Sequence, residues 1–182
     1  MHFSVYITLF VIFSFIGFIT DSIYCSIDAK KFVKSGYVPY LPLCPVYGFG
    51  GIVLFLLQKY LGELPWYFVY PMALFSVLAV EYLGGVYCTK VVKERLWDYT
   101  KLPYNLDGNI SLLHGVYWLF MIALFLKYLY PYFYTLEQKL LNLYKLNTFQ
   151  EFLVLGFSIA VFFLVSFIEF RRRQRTRIKT QI

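Results

Sequence analysis

The sequence is short of charge. Only 15% of its 182 residues are Asp, Glu, Lys or Arg, against about a quarter in an average soluble domain. That scarcity excludes a conventional water-surrounded core. Acidic residues are scarcest, 10 against 17 Lys and Arg. The resulting charge of +7 still argues against a nucleic-acid partner, because the basic residues stand at the ends of apolar runs. That placement suits lipid headgroups and topology better than a DNA groove. Cysteine is sparse as well. Cys25, Cys44 and Cys88 show no CxxC spacing and no nearby His, which excludes a disulfide framework and a zinc site. No GxxxxGK[ST] segment is present to cradle nucleotide phosphates. Neither a nucleophile–base pair nor a metal-ligand pattern is visible, so no cofactor and no metal are implied.

What is abundant is apolar and aromatic: 60% hydrophobic residues and 23% Phe, Trp and Tyr, gathered in long blocks. About 20 mostly apolar residues cross a bilayer as a helix. Five blocks qualify: Phe3–Tyr24, Pro42–Leu61, Trp66–Val91, Ile110–Tyr130 and Phe152–Phe170. The second is interrupted by Pro45, Gly48, Gly50 and Gly51, which a span tolerates when neighbouring helices re-satisfy its backbone. The first lacks a basic leader and a small-x-small cleavage site, and reads as an uncleaved anchor. The expected fold is all-α: a polytopic helical membrane bundle, one transmembrane domain over 1–170, then a basic tail over 171–182. The bilayer is its first partner. Self-association into a homo-oligomer stays open.

Lys and Arg decide orientation. Three follow span 1, four follow span 3 and six fill the tail, 13 on one side; one follows span 2 and three follow span 4, leaving four on the other. The N-terminus is therefore expected outside and the C-terminus inside. Between spans 4 and 5, Leu136, Leu140, Leu143 and Tyr144 recur at helical spacing, with Glu137, Lys139 and Asn142 between them. An outer interfacial amphipathic helix near 135–148 is expected there.

Ionisable residues inside spans are costly, roughly 2.5–3.5 kcal/mol each on insertion scales, so each asks for a reason. Glu81 is the clearest. It is either helix-joining glue or a group that handles a proton, cation or substrate. Gly84 and Gly85 beside it permit close approach of another helix. Asp21 near the inner end of span 1 and His114 near the start of span 4 have boundary-pairing and packing alternatives. Glu169 can pair with Arg172 or Arg173. With this topology Asp21, Glu81, His114 and the span 2 entry LPLCPVYGFGG all fall toward the cytoplasmic half, and a cavity opening there is expected.

So does the polar stretch RLWDYTKLPYNLDGNIS, residues 95–111. Arg95 can hold a carboxylate or phosphate bidentately, and can also pair with Asp98. Trp97 suits the interface. Pro103 stops any helix through the loop. Asn105, Asp107, Gly108 and Asn109 are turn residues, and Asn109 or Ser111 suits an N-cap for span 4.

EYLGG followed by RLWDYTKLPYNLDGNISLL, together with LCPVYGFGG, resembles the CmpB-like family of type IV ABC-transporter permeases, bacterial integral membrane proteins. The likeness covers roughly residues 10–130. Glu81, Arg95, Trp97, Asp98, Tyr99, Asn105, Gly108, Pro45, Tyr47, Gly48 and Gly50 match its motif positions. SGYVPYLP, Ser111, Asp21 and Tyr117-Trp118 depart from its usual pattern. The resemblance implies a bacterial plasma-membrane permease subunit that needs a separate ATP-binding subunit, docked on the loop 92–109. Substrate or cavity contacts would then come from Asp21, Tyr47, Gly48, Glu81, Arg95, Asp98, Asn105 and His114. Pro45, Gly50, Trp97, Tyr99 and Gly108 would shape the motif. Two other classes stand beside it. In a membrane-embedded enzyme acting on a lipid or polyprenyl substrate, Glu81, Asp98 and His114 would supply acid–base groups and Arg95 would hold a phosphate. In a structural or assembly factor, the polar residues would only join helices. Protease added to right-side-out vesicles is expected to leave the Arg-rich tail intact and to cleave it only after lysis. Cleavage before lysis would reverse the orientation.

Overall fold

The computed structural model describes residues 2–33 and 41–180; within the last helix, the side chains at 166, 169–170 and 173–180 lie outside the description. Lys34, most of the SGYVPYLP departure, the Glu169 pairing and most side chains of the basic tail therefore lie outside the described residues. Among the described residues six helices follow one another: α1 (Phe3–Ala29), α2 (Pro45–Leu61), α3 (Trp66–Tyr87), α4 (Leu112–Leu124), α5 (Tyr130–Leu143) and α6 (Thr148–Thr180). A single π-helical turn extends α3 over Cys88–Val92, and another joins α4 to α5 over Phe125–Leu129. Four segments, Phe3–Ala29, Trp66–Val92, Leu112–Leu143 and Thr148–Val165, are long and apolar enough to cross a membrane, and Pro45–Leu61 is a shorter apolar helix. This is the expected all-α polytopic bundle, with one addition. The loop after α3 holds a two-residue hairpin, β1 (Asn105–Leu106) against β2 (Ile110–Ser111), so α4 begins at Leu112 rather than at Ile110.

The short α2 has a structural cause. The Cys44 N–H donates to the Ser14 carbonyl at 2.9 Å, which starts α2 beside the middle of α1. Pro45 at the first helical position has no N–H to satisfy, and the Cys44 carbonyl accepts from Tyr47 N–H and Gly48 N–H at 3.1 and 3.3 Å. The orphan donors of a helix start are thus covered at membrane depth. Glycines set the spacing of α1 and α2. A Cβ on Gly48 would strike Ser14 and Phe10, and one on Gly51 would stand 2.5 Å from the Phe13 ring.

Between the helices, Leu9, Phe55, Val77, Ile122 and Phe125 are buried in one apolar core. Phe13, Phe125 and Phe133 meet there, with ring centroids 4.6 to 6.0 Å apart. Phe125 and Phe133 are eight residues apart, and a straight α-helix would separate them by about 12 Å. The π-helical turn over Phe125–Leu129 lies between these two positions. It also accommodates Pro131, which has no N–H and whose ring would clash in a regular helix.

The helix expected near 135–148 is α5, which starts earlier, ends at Leu143 and runs on from α4 as one continuous apolar segment, Leu112–Leu143. Its polar face is not where the spacing implied. Glu137 is fully buried. Its Oε1 accepts from Lys59 Nζ at 2.7 Å and from the Tyr6 hydroxyl at 3.0 Å, tying α1, α2 and α5 together at the end opposite the hairpin. Leu143 is 70% exposed instead. α6 opens on a reciprocal cap, Asn147 Oδ1 accepting from Gln150 N–H and Gln150 Oε1 from Asn147 N–H, both at 3.0 Å. Beside it Glu151, 1% exposed, accepts from the Ser4 N–H and hydroxyl, both at 2.8 Å. Beyond that contact, Phe157 and Phe163 of α6 are exposed.

Removing one partner of a buried ion pair leaves the other charge uncompensated and typically costs about 3–5 kcal/mol. Lys59→Met is therefore expected to lower the melting temperature in detergent sharply. Lys59→Met combined with Glu137→Met should recover most of the loss. Additive losses in the double variant would show that the two side chains do not interact.

Candidate functional site

The site is assembled where the hairpin loop folds over the end of α3. Its local structure is specified residue by residue. Asp107 and Gly108 both take positive φ, 54° and 67°, and Asn109 N–H donates to the Leu106 carbonyl at 3.0 Å. This is the turn that an Asp-Gly pair favours between short strands. Asn105 fastens it from within: its side-chain N–H donates to the Leu102 carbonyl at 2.7 Å, and its Oδ1 accepts from Gly108 N–H at 3.0 Å. A Cβ at Gly108 would run into Arg95 and Thr100. The Trp97 indole donates to the Asn109 carbonyl at 2.8 Å, so it clasps the loop. The Tyr82 hydroxyl of α3 donates to Asp107 at 2.7 Å.

Gly85 seats this loop on α3. A Cβ there would stand 2.6 Å from Asn109 Oδ1, which is buried with no hydrogen-bond donor among the described residues. Gly84 faces Val46 at the start of α2. The paired glycines therefore admit a hairpin on one side and a helix on the other.

One turn up α3 lies Glu81, 6% exposed. Its Oε1 accepts from the Tyr99 hydroxyl at 3.1 Å and its Oε2 from the Trp118 indole at 2.8 Å. Burial first, then the Glu81 carboxylate, hold the Tyr99 phenol well above its ordinary pKa, so it stays a donor. Tyr99 stacks on His114 with centroids 3.8 Å apart. His114 Nδ1 in turn lies 2.8 Å from the Ser111 hydroxyl, and Ser111 is the N-cap of α4. On the far side Trp118 packs on Tyr47, centroids 5.3 Å apart, and Tyr47 rests where a Gly17 side chain would be. Asp21 is within electrostatic reach of Glu81, Tyr47 and Tyr99.

The structure thus gathers Asp21, Tyr47, Glu81, Tyr99 and His114. Gly48 and Gly50 serve helix packing nearby. Arg95 and Asp98 stand apart. They pair with each other at 2.9 Å on the exposed rim, where the Thr100 backbone N–H and then its side chain, followed by Arg95, hold the Asp98 carboxyl below its usual range. Asn105 is spent on the hairpin. Trp118 was not legible as a partner, although an indole N–H inside a span requires an acceptor and Glu81 required donors. Among the described residues these rings surround Glu81, which is 6% exposed. A small space of about 70 Å³ lies deeper, lined by Gly17, Thr20, Tyr47, Gly51, Trp118 and Phe133 among others.

A family model described as "Putative ABC-transporter type IV" matches residues 8–170. The chain belongs to that family. The match reaches beyond the stretch that the motifs alone cover and takes in α5 and most of α6. No curated protein and no solved structure matches the chain. With its helices, the family makes this a multi-pass membrane protein of transporter-related type.

A buried acceptor left without its donor typically costs about 1–3 kcal/mol. Trp118→Phe is expected to destabilise the protein by that order in thermal melts, and Tyr99→Phe by a similar amount. In the combined variant with Glu81→Leu the penalties should shrink, because no carboxylate remains to be satisfied.

Proposed function

We propose that this chain is the permease-like subunit of a bacterial plasma-membrane transporter, driven by a separate ATPase that docks on the loop 92–109. The observation that carries the reading is the bond from Tyr99 to Glu81. Tyr99 belongs to the polar loop, and Glu81 is the buried carboxylate of a spanning helix. A partner that shifts the loop at the surface would strain or release a donor on the intramembrane acid directly. From Glu81 the contacts continue through Trp118 to Tyr47, and so to α1. The charge bias favours this as the cytoplasmic side, where ATP is. Family membership favours a transport role, and the absence of a phosphate-cradling motif in this chain assigns ATP binding to another subunit.

The aromatic cluster of Phe13, Phe125 and Phe133, with the Lys59–Glu137 pair beyond it, suits a closed outer barrier above the small inner space. The enzyme reading has less support. Ser111 and His114 do touch, but the Ser111 hydroxyl also accepts the His114 backbone N–H and is buried in a helix cap. Arg95 is turned to Asp98.

In cells, an ATP-binding protein carrying GxxxxGK[ST] is expected to cross-link to Lys93 or Lys101 and to copurify in mild detergent. Glu81→Gln should keep that partner and lower the ATP hydrolysis rate of the complex several-fold. No copurifying ATPase, together with no ATP-dependent flux in vesicles, would sink the proposal. A Glu81→Gln variant that is merely less stable and otherwise wild-type would favour an assembly role.

A further inference from the structure

Both ends of α5 are joints. Before it, Phe125–Leu129 form a π-helical turn, and Pro131 has no N–H to offer the helix behind it. Such turns interrupt the regular hydrogen-bond ladder and are frequent at functional sites. After it, residues 144–147 leave the helix before α6 begins. Between the joints one stripe, Phe133, Glu137 and Leu140, recurs at helical spacing. The buried residues of α5 are Glu137 and Leu140, whereas Tyr132 and Leu143 are largely exposed. The polar hold on this helix is the cluster around Glu137. Its Oε1 accepts from Lys59 Nζ and from the Tyr6 hydroxyl. The Lys59 side chain is 22% exposed, so the buried acid is one side chain away from the surroundings. One turn before Glu137, Phe133 lines the small inner space, and Phe125 and Leu129 of the π-helical turn line it too. The segment that carries the joint and the charged contact is therefore also a wall of that space.

We propose that α5 is a lid over the inner space, hinged at the π-helical turn and Pro131 and latched by Lys59 and Glu137. The lid rests on the reading of this end as a transporter's closed barrier, and not on where an ATPase docks. The choice of a charged latch has a physical reason. Apolar residues of similar volume hold a buried contact as well as an ion pair does, or better. What the pair adds is reversibility: once parted, an ammonium and a carboxylate are both stable in water, while two parted apolar side chains are not. Tyr6 completes the closed state by giving the carboxylate a second donor from α1. Phe133 is carried on the same helix, so release of Glu137 also withdraws its ring from Phe13 and uncovers the space between α1 and α4.

The test uses the full chain alone in lipid nanodiscs, where both faces meet water. Met121→Cys places a thiol on the inner space, and Tyr132→Cys places one on the exposed side of α5. The probe is a methanethiosulfonate carrying a trimethylammonium group, which does not enter the bilayer. Labelled thiols are mapped by mass spectrometry, so Cys25, Cys44 and Cys88 are read separately. Tyr132→Cys is expected to label fast in every background. Met121→Cys should label slowly with the latch intact, several-fold faster with Glu137→Gln, and several-fold slower than with the native latch when Lys59→Met and Glu137→Met are combined. Pro131→Ala, which returns an N–H to the joint, should also slow it. Buried Cys88, at the hairpin end, should stay unlabelled throughout. Labelling of Met121→Cys at the native rate or faster in the double methionine variant would overturn the lid. So would an unchanged rate in Pro131→Ala, or labelling of Cys88 in step with Met121→Cys, which would mean general unfolding. If Glu137→Gln fails to fold, the comparison of the native latch with the double methionine variant still decides. A rigid α5 would leave an ATPase on the loop 92–109 untouched, and a missing ATPase would leave these rates as they are.

Discussion

A carboxylate buried in an apolar bundle must be met by donors, and this requirement organises the molecule. Each end has one. At the hairpin end Glu81 draws Tyr99 from the loop and Trp118 from α4. At the other end Glu137 draws Lys59 from α2 and Tyr6 from α1. In both cases the donors come from different segments, so satisfying the acid also fixes how those segments meet. Apolar packing in a membrane gives little such instruction, since lipid tails are as apolar as the side chains they replace. The polar groups specify the arrangement, and the core around Phe55 and Ile122 fills the space between them.

The loop over α3 follows from the same requirement. To deliver one phenol to Glu81 it must be held stiffly, and its own residues do the holding. Asn105 and Trp97 close it from inside, Asp107 and Gly108 turn it, and Gly85 lets it sit down on the helix. Several polar residues of this stretch are hydrogen-bonded within the loop that carries Tyr99. That separates two kinds of polar residue within the motif: those facing the buried acid, and those building the support.

How much was legible follows from distance along the chain. Apolar blocks and charge bias are local or additive, so the spans could be read directly. Arg95 with Asp98 and Ser111 with His114 are three residues apart, and both pairings follow from local spacing. Glu81 stood out because an acid in a long apolar run has no local excuse. Its partners did not, being 18 and 37 residues away. Glu137 was misread for the same reason. Among polar neighbours it looks like a surface residue, and Lys59, 78 positions earlier, looks like a turn. The Asp-Gly hairpin signal was present but lay hidden among other turn formers. The start of α2 at Pro45, three residues later than the apolar run implied, rests on a carbonyl 30 positions back from Cys44, in the middle of another helix, which no periodicity encodes.

The contact between Ser4 and Glu151 bears on the order in which the protein is built. The first turn of α1 carries N–H groups that its own helix cannot satisfy, and the acceptor for Ser4 is 147 residues downstream. A ribosome therefore delivers the opening helix long before its cap exists. The final helix, which otherwise packs loosely, completes the first one. Closure of the N-terminal end is a late event, and a chain cut short before α6 would leave its oldest helix unfinished.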